Sequence, residues 1–198
     1  MAVTAEEVRK LRERSGAGLM DCKRALEACG GDMTGAIELL RKRGIELAAK
    51  RETKAAKQGL IEAYVHAGGK IGVLVEVNCE TDFVGRTEDF RQFARDIAMQ
   101  VAAQQPQWLV REDVPEAVVE KEKEIYREQV AKEGKAPQVV DRIVTGKLQK
   151  FFRDTCLMEQ PFIKDPDKSV ETLRKELAGK LGENIQVRRF VRFQMGEA

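Results

Sequence analysis

The hydrophobic period of the chain changes abruptly near residue 59, and this change constrains the fold more than any other feature of the sequence. Before it, apolar residues recur at helical spacing, whereas residues 61–65 and 71–79 alternate between apolar and other side chains. Between these two runs lie Gly68 and Gly69, which can adopt the positive φ angles of a tight turn. We therefore predict two antiparallel strands joined as a hairpin.

Residues 1–44 are predicted to form three short helices, because their apolar residues lie three or four positions apart. The first helix is expected to end in Ser15–Gly18 and the second at Gly30 and Gly31, where glycine suits a left-handed C-cap. Asp32 is placed to cap the third helix, and Gly44 is expected to close it. These residues form the first predicted domain.

The second predicted region is residues 45–58, an exposed helical linker that is polar and rich in helix formers. The overlapping segment Arg41–Lys57 holds seven basic and two acidic residues, a local charge of +5. Such a run is typical of a solvated basic face, the interpretation that we favour, or of a patch for an acidic partner or RNA.

Residues 59–198 are predicted to form a core of mixed helices and strands. Helical spacing returns after Phe83, and two further helices are delimited by Pro115 and Pro137, the first over residues 117–133. The remaining predictions are an extended segment at 157–163, a helix at 170–181 and a third strand at 185–193. The fold class is therefore α+β, with a three-stranded antiparallel sheet packed against helices after the N-terminal helices.

Composition and charge exclude several classes of protein. With 35 basic and 33 acidic residues, the net charge of +2 is too small for a protein that coats nucleic acid. No stretch approaches the roughly 20 apolar residues that span a bilayer, and the amino terminus lacks the pattern of a secretory signal. We expect a soluble cytoplasmic protein without membrane or nucleic-acid partners.

The sequence offers little for catalysis or metal binding. Its four cysteines form no CxxC pair, and His66 is the only histidine, so we expect neither a zinc site nor a disulfide framework. No Gly-Lys pair completes a phosphate-binding P-loop, and no nucleophile-and-base motif is present. We expect a protein that is not an enzyme, has no cofactor and binds no nucleotide directly.

One segment that follows the second predicted strand is chemically unusual: it reads Val-Asn-Cys-Glu-Thr-Asp-Phe-Val over residues 77–84. From the residues alone, we favour a tight loop in which Thr81 or Asp82 caps the next helix and Phe83 packs into the core. This segment also resembles the core signature of bacterial elongation factor Ts. The amino-terminal signature of that family is matched by residues 11–26, Leu-Arg-Glu-Arg-Ser-Gly-Ala-Gly-Leu-Met-Asp-Cys-Lys-Arg-Ala-Leu, and a third stretch by Glu-Gln-Pro-Phe at 159–162.

The resemblance implies a guanine-nucleotide exchange factor that binds the GDP form of the translation GTPase elongation factor Tu and releases its GDP. It implies that the amino-terminal helices form a ubiquitin-associated-like bundle that docks on the GTPase through Arg12, Leu19 and Met20. Many relatives have Met-Met where this chain has Leu19-Met20, a change that preserves side-chain volume. The residues implied to disturb the partner's Mg²⁺ site, with the aromatic ring inserted between partner helices, are Thr81, Asp82, Phe83 and Val84.

Long members of the family carry two related core halves, whereas the alternating hairpin occurs here once. A second copy of the chain could replace the missing half by packing sheet to sheet, so we expect a homodimer. Two alternatives stay open: a ubiquitin-associated-like protein-binding module that uses only the helical bundle, and a ribosome- or RNA-associated factor that uses the basic segment.

Overall fold

The computed structural model describes residues 3–131 and 137–197 and contains both helices and strands. Its helices are α1 (Ala5–Ser15), α2 (Leu19–Ala28), α3 (Met33–Arg51), α4 (Asp82–Gly85), α5 (Glu88–Gln104), α6 (Glu116–Ala131), α7 (Pro137–Thr155) and α8 (Val170–Leu181). Its strands are β1 (Gln58–Val65), β2 (Ile71–Cys79), β3 (Pro161–Phe162), β4 (Asp165–Ser169) and β5 (Gln186–Gln194). Strand β2 lies between β1 and β5 in one sheet, and β3 pairs with β4 in another. The predicted α+β class is confirmed, with a three-stranded antiparallel sheet packed against helices.

The described residues fall into two compact units. The first comprises Met1–Leu60, Val77–Phe93 and Thr172–Arg188, and the second comprises Ile61–Glu76, Ala94–Glu171 and Arg189–Ala198. The three-stranded sheet contributes residues to both units. The predicted division at residues 44 and 58 concerns what each region does, and it stays a prediction.

The caps predicted at the end of α1 and at the start of α3 are present. Gly16 ends α1 in the left-handed conformation, and the Asp32 carboxylate accepts hydrogen bonds of 3.0 Å from the backbone N–H groups of Thr34 and Gly35 at the start of α3. The shared core of the three amino-terminal helices consists of Val8, Leu11, Cys22, Ala25, Leu26 and Ala36, all buried. The bundle is therefore held by local caps and a small apolar centre of its own.

The prediction that Gly44 closes the third helix is wrong, since α3 continues to Arg51. Gly44 instead faces Gly179 of α8, where a Cβ atom on Gly179 would lie 2.5 Å from the Gly44 carbonyl group. The two glycines thus allow two helix backbones to approach closely, a role that a local reading of the sequence mistakes for a C-cap. Residues 52–57 lie outside any helix, so the linker predicted at 45–58 is helical only in its first half.

The predicted hairpin is confirmed. The N–H of His66 donates to the carbonyl of Ile71 over 2.9 Å, and Gly68 and Gly69 have φ angles of 92° and 69° in the turn. Strand β2 alternates as expected, with one face fully buried: Val73, Val75, Val77 and Cys79. The stripe of α5 is buried along its length: Phe90, Phe93, Ala94, Ile97, Ala98 and Val101.

The extended segment predicted at 157–163 is correct only in its second half. Residues Leu157–Glu159 form a 3₁₀ turn, and the β3–β4 pair that follows is absent from the prediction. The side chain of Gln100 explains the difference, because it is buried in α5, donates to the Pro161 carbonyl (3.1 Å) and accepts from the Ile163 N–H (2.9 Å). A buried amide supplies hydrogen bonds that no hydrophobic period reveals.

The remaining helix boundaries agree with the prolines. Helix α6 follows Pro115 and α7 begins at Pro137, as predicted, because proline fits the first turn of a helix. Residues 132–133, the end of the predicted charged helix, lie outside the described residues. Helix α8 begins directly after Ser169 and ends at Gly182, which has a φ angle of 72°.

Candidate functional site

The segment Thr81–Val84 forms an exposed turn between β2 and α5. Thr81 caps the four-residue helix α4, with its hydroxyl 3.5 Å from the N–H of Val84. The carboxylate of Asp82 accepts a hydrogen bond from Arg86 over 2.5 Å. Phe83 is 82% exposed, so the expectation that its ring packs into the core is wrong. An aromatic ring exposed on a turn is free to contact a partner, and aromatic rings contribute strongly to interface energetics.

Closely packed residues lie beneath this turn. The thiol of Cys79 donates to the Thr81 carbonyl over 3.0 Å, and burial, with the Glu183 carboxylate nearby, raises the pKa of the thiol to about 11. Gly85 is buried against Cys79 and Gly59, and a Cβ on Gly59 would lie 2.1 Å from the Val77 carbonyl oxygen. Glycine is therefore required at residue 59 for β1 to approach β2 at Val77.

Residues that are distant in sequence hold the start of the turn in place by hydrogen bonds. Glu183, just after α8, accepts hydrogen bonds from the backbone N–H of Glu80 (3.1 Å) and Thr81 (3.0 Å) and from the Thr81 hydroxyl (2.6 Å). In return, the Glu80 carboxylate accepts from the backbone N–H of Asn184 over 2.7 Å. This hydrogen bond, together with Arg51, lowers the pKa of Glu80.

The sequence analysis did not identify Glu80, Glu183 or Asn184 as site residues. Glu183 lies 102 positions after Thr81, so no spacing rule connects the two residues. The only local signal is the placement of a carboxylate immediately after the helix-ending Gly182. The candidate site is therefore built from a short motif and from residues that only the tertiary structure brings to it.

The predicted docking residues flank the connection between α1 and α2. Arg12 is exposed in the last turn of α1, and Leu19 and Met20 occupy the first turn of α2 with 52% and 61% of their surface exposed. Their helices are anchored on the other side by the buried core of the bundle. The bundle thus exposes two large apolar side chains at the start of α2 and a cationic side chain at the end of α1.

The sheet has an apolar outer face in the second unit. Cross-strand pairing of Arg189 with Glu76 (2.7 Å) places both side chains opposite the buried face of β2, and alternation puts Val191 and Phe193 beside them. Strand β1 is exposed at the same alternating positions predicted to share a face, 61, 63 and 65. We call the following exposed residues the outer face: Ile61, Val65, Leu74, Val191, Phe193 and Met195.

The basic segment Arg41–Lys57 is partly neutralised. Arg41 forms an ion pair with Glu176 of α8, and Arg51 lies 3.2 Å from the Glu80 carboxylate. These two of its seven cations therefore serve contacts within the first unit. The segment shows no aromatic side chain on which a base could stack.

The part of the chain that the structure describes offers neither a metal-binding cluster nor a membrane-spanning helix. Over residues 3–131 and 137–197, no three metal-binding side chains of His, Cys, Asp or Glu cluster together. Among the helices of the described chain, none is both long and apolar enough to cross a membrane.

Comparisons with known proteins agree with the motifs. A model of the family described as Elongation factor TS matches residues 36–197. Elongation factor Ts of Carboxydothermus hydrogenoformans is 58% identical over 195 residues, covering 98% of this chain and 90% of the relative. The protein of the same name from Moorella thermoacetica is 58% identical over 195 residues (98% and 96%), and that from Thermodesulfovibrio yellowstonii is 56% identical over 197 residues (100% and 98%). Matched over nearly its whole length, this chain belongs to the elongation factor Ts family.

Proposed function

We propose that this protein is the guanine-nucleotide exchange factor of elongation factor Tu, which binds the GDP form of that GTPase and promotes GDP release. The observation that carries the proposal is Phe83: an aromatic ring 82% exposed on a turn whose backbone is fixed by hydrogen bonds. Family membership identifies the class of factor, and the exposed turn supplies a means of acting on a partner.

The turn acts by disturbing the partner's Mg²⁺ site. Mg²⁺ requires nearly ideal octahedral geometry and is held partly by the nucleotide's phosphates, so a small displacement of its surroundings weakens both metal and GDP. Phe83 is the wedge that enters between partner helices. Asp82 acts through its charge on the partner's side chains and water around the metal, and the hydroxyl of Thr81 caps α4 by accepting from the N–H of Val84.

Docking is a separate task of the amino-terminal bundle, through Arg12, Leu19 and Met20. The two apolar side chains bind to the surface of the GTPase domain. Because the bundle is folded around its own core, they are positioned before binding, which lowers the entropy cost of binding. By thermodynamic linkage, a factor that lowers the affinity for GDP is itself bound more weakly when GDP is present. The protein therefore needs no nucleophile, cofactor or nucleotide site of its own, and we infer that it acts in the cytoplasm without enzymatic chemistry.

The proposal is tested by the release of a fluorescent GDP analogue from elongation factor Tu. Wild-type protein is expected to accelerate release, and Asp82→Ala and Phe83→Ala are expected to lose most of the acceleration while remaining folded. Absence of acceleration by the folded wild type would overturn the proposal. If binding survives deletion of residues 59–198, the protein-binding module is favoured instead, and binding to ribosomes that weakens steeply with salt favours the RNA alternative.

We also infer a homodimer, with the outer face of the sheet as its interface. An exposed apolar sheet face of this kind marks a protein contact, and a two-fold axis would bury it against its own copy. The alternating hairpin occurs once in this sequence, where long family members carry two core halves, and this favours a second copy of this chain as the occupant.

The outer face can be tested by one substitution on its edge strand β5. Phe193→Glu would place a carboxylate in the interface and is expected to yield a monomer of 22.3 kDa by light scattering at micromolar concentration. The matched control is Ile125→Glu on α6, which alters another exposed apolar residue and is expected to leave the dimer intact. A wild-type protein that is itself monomeric across micromolar concentrations contradicts the inference.

A further inference from the structure

We propose that Glu183 is a positioning residue for nucleotide exchange: it holds the Thr81–Val84 turn in the orientation that presents Phe83 to the partner. This inference rests on the proposed function, because it concerns how the turn is kept ready to act. Glu183 does not reach the exposed end of the turn, and its contacts are with the residues that begin it.

Both oxygens of the Glu183 carboxylate are used. Oε2 accepts from two successive backbone N–H groups, those of Glu80 and Thr81, at 3.1 and 3.0 Å. Oε1 accepts from the Thr81 hydroxyl at 2.6 Å, a short bond typical of an ionised acceptor. The three bonds determine both the backbone direction and the side-chain rotamer of the residue that caps α4.

The backbone hydrogen bonds that start the turn are those of a single helical turn: the N–H of Gly85 donates to the Thr81 carbonyl (3.3 Å) and the N–H of Arg86 to the Asp82 carbonyl (3.2 Å). Helix α4 has four residues, and its cap bond from Val84 N–H to the Thr81 hydroxyl is long, at 3.5 Å. A single short helical turn is unstable in isolation, so its geometry must come from outside. When Glu183 accepts the hydroxyl hydrogen, the oxygen of Thr81 is oriented to accept from Val84, which links the external anchor to the cap.

The segment that contains Glu183 is itself held in place by the hydrogen bonds of the next residue, Asn184. Asn184 donates its backbone N–H to Glu80 and its side-chain amide to the carbonyls of Glu52 (3.2 Å) and Lys54 (2.7 Å), the segment just after α3. The bonds between residues 80–81 and 183–184 run in both directions, so neither segment moves without breaking bonds to the other. Glu183 thus attaches the exposed turn to the packed part of the first unit.

The experiment compares Glu183→Ala with Glu183→Gln in two measurements. Glutamine keeps an oxygen for both N–H donors, and its amide can donate to the Thr81 hydroxyl, so it should rescue the position of the turn. Hydrogen–deuterium exchange at the amides of Glu80 and Thr81 is expected to accelerate at least tenfold in Glu183→Ala and little in Glu183→Gln. At saturating protein, the maximal rate of GDP release from elongation factor Tu is expected to fall about tenfold in Glu183→Ala and at most twofold in Glu183→Gln.

Glu159→Ala is the matched control, because Glu159 is a half-buried glutamate with two hydrogen bonds of 2.6 Å to Arg111 in the other unit. It should leave the maximal rate and both amides unchanged. If Glu183→Ala retains the wild-type maximal rate while Phe83→Ala loses it, the positioning role is wrong and the proposed function stands. Failure of wild-type protein to accelerate GDP release would instead overturn the proposed function, while the two amides would still decide whether Glu183 fixes the turn.

Discussion

The amino-terminal bundle and the Thr81–Val84 turn both expose large apolar side chains, but they hold them in opposite ways. In the bundle, Leu19 and Met20 lie on a helix whose caps and core come from residues near them in sequence. In the turn, the position of Phe83 depends on hydrogen bonds that Glu80 and Thr81 donate to Glu183, which lies more than 100 positions after both. The bundle is thus specified by local signals, whereas the turn is specified by the tertiary structure.

This difference indicates a division of labour. A surface that only has to bind can be presented by a small, independently capped bundle. An element that must displace the surroundings of a metal ion has to resist being pushed back, which requires rigid attachment to the rest of the unit. Variants in the two regions are therefore expected to change different measured quantities.

The largest expected effect separates Phe83 from the nearby Phe90. Phe90 is completely buried at the start of α5, so Phe90→Ala should lower the free energy of unfolding by about 3–5 kcal/mol. Phe83→Ala should change it by less than about 0.5 kcal/mol, because the exposed ring packs against little. Urea unfolding measures both, and a loss of stability in Phe83→Ala comparable to that in Phe90→Ala would show that the ring belongs to the core.

The double variant Leu19→Ala/Met20→Ala is the next test. We expect the protein concentration that gives half of the maximal rate of GDP release to rise about tenfold. This rise corresponds to a loss of about 1.4 kcal/mol in binding free energy. The free energy of unfolding should not change. Leu47→Ala is the matched control, since Leu47 is 55% exposed on α3 and is not among the docking residues. An equal effect of the control would mean that exposed apolar residues of this region contribute without specificity.

Removal of a cap should loosen the bundle without moving the turn. Asp32→Ala deletes the acceptor for the N–H groups of Thr34 and Gly35 and should cost about 1 kcal/mol. Amide exchange should accelerate at the start of α3 and stay unchanged at Glu80 and Thr81. Faster exchange at both places would contradict the independence of the two regions.

The smallest expected effect is a change with pH in the stability that the Glu80 carboxylate contributes by holding the turn. Because the hydrogen bond from Asn184 lowers the pKa of Glu80 from its ordinary value of 4.5, the ionised carboxylate stabilises the fold above that value. This contribution is lost as the pH falls through the lowered pKa. The stability difference between wild type and Glu80→Gln, measured by urea unfolding, should therefore be largest near neutral pH and shrink below about pH 4.5; a difference that is constant down to pH 3 would contradict it.

The two regions also differ in how well the sequence predicts them. The helices of the bundle, the hairpin and the stripe of α5 follow from hydrophobic periods and caps, which are local signals. The exposed position of Phe83 does not follow, because a period cannot show whether an aromatic ring after a strand turns inward or outward. The roles of Gly44 and Glu183 are missed for a related reason, since their partners, Gly179 and Thr81, are more than 100 residues away.

If the turn drives GDP release whereas the bundle provides binding, one titration separates the two roles. The rate of GDP release from elongation factor Tu is measured against the concentration of wild type, Asp82→Ala/Phe83→Ala and Leu19→Ala/Met20→Ala. We predict that the turn variant loses most of its maximal rate with little change in half-saturation, and that the bundle variant does the reverse. A turn variant that reaches the wild-type maximal rate at high concentration would contradict this division of roles.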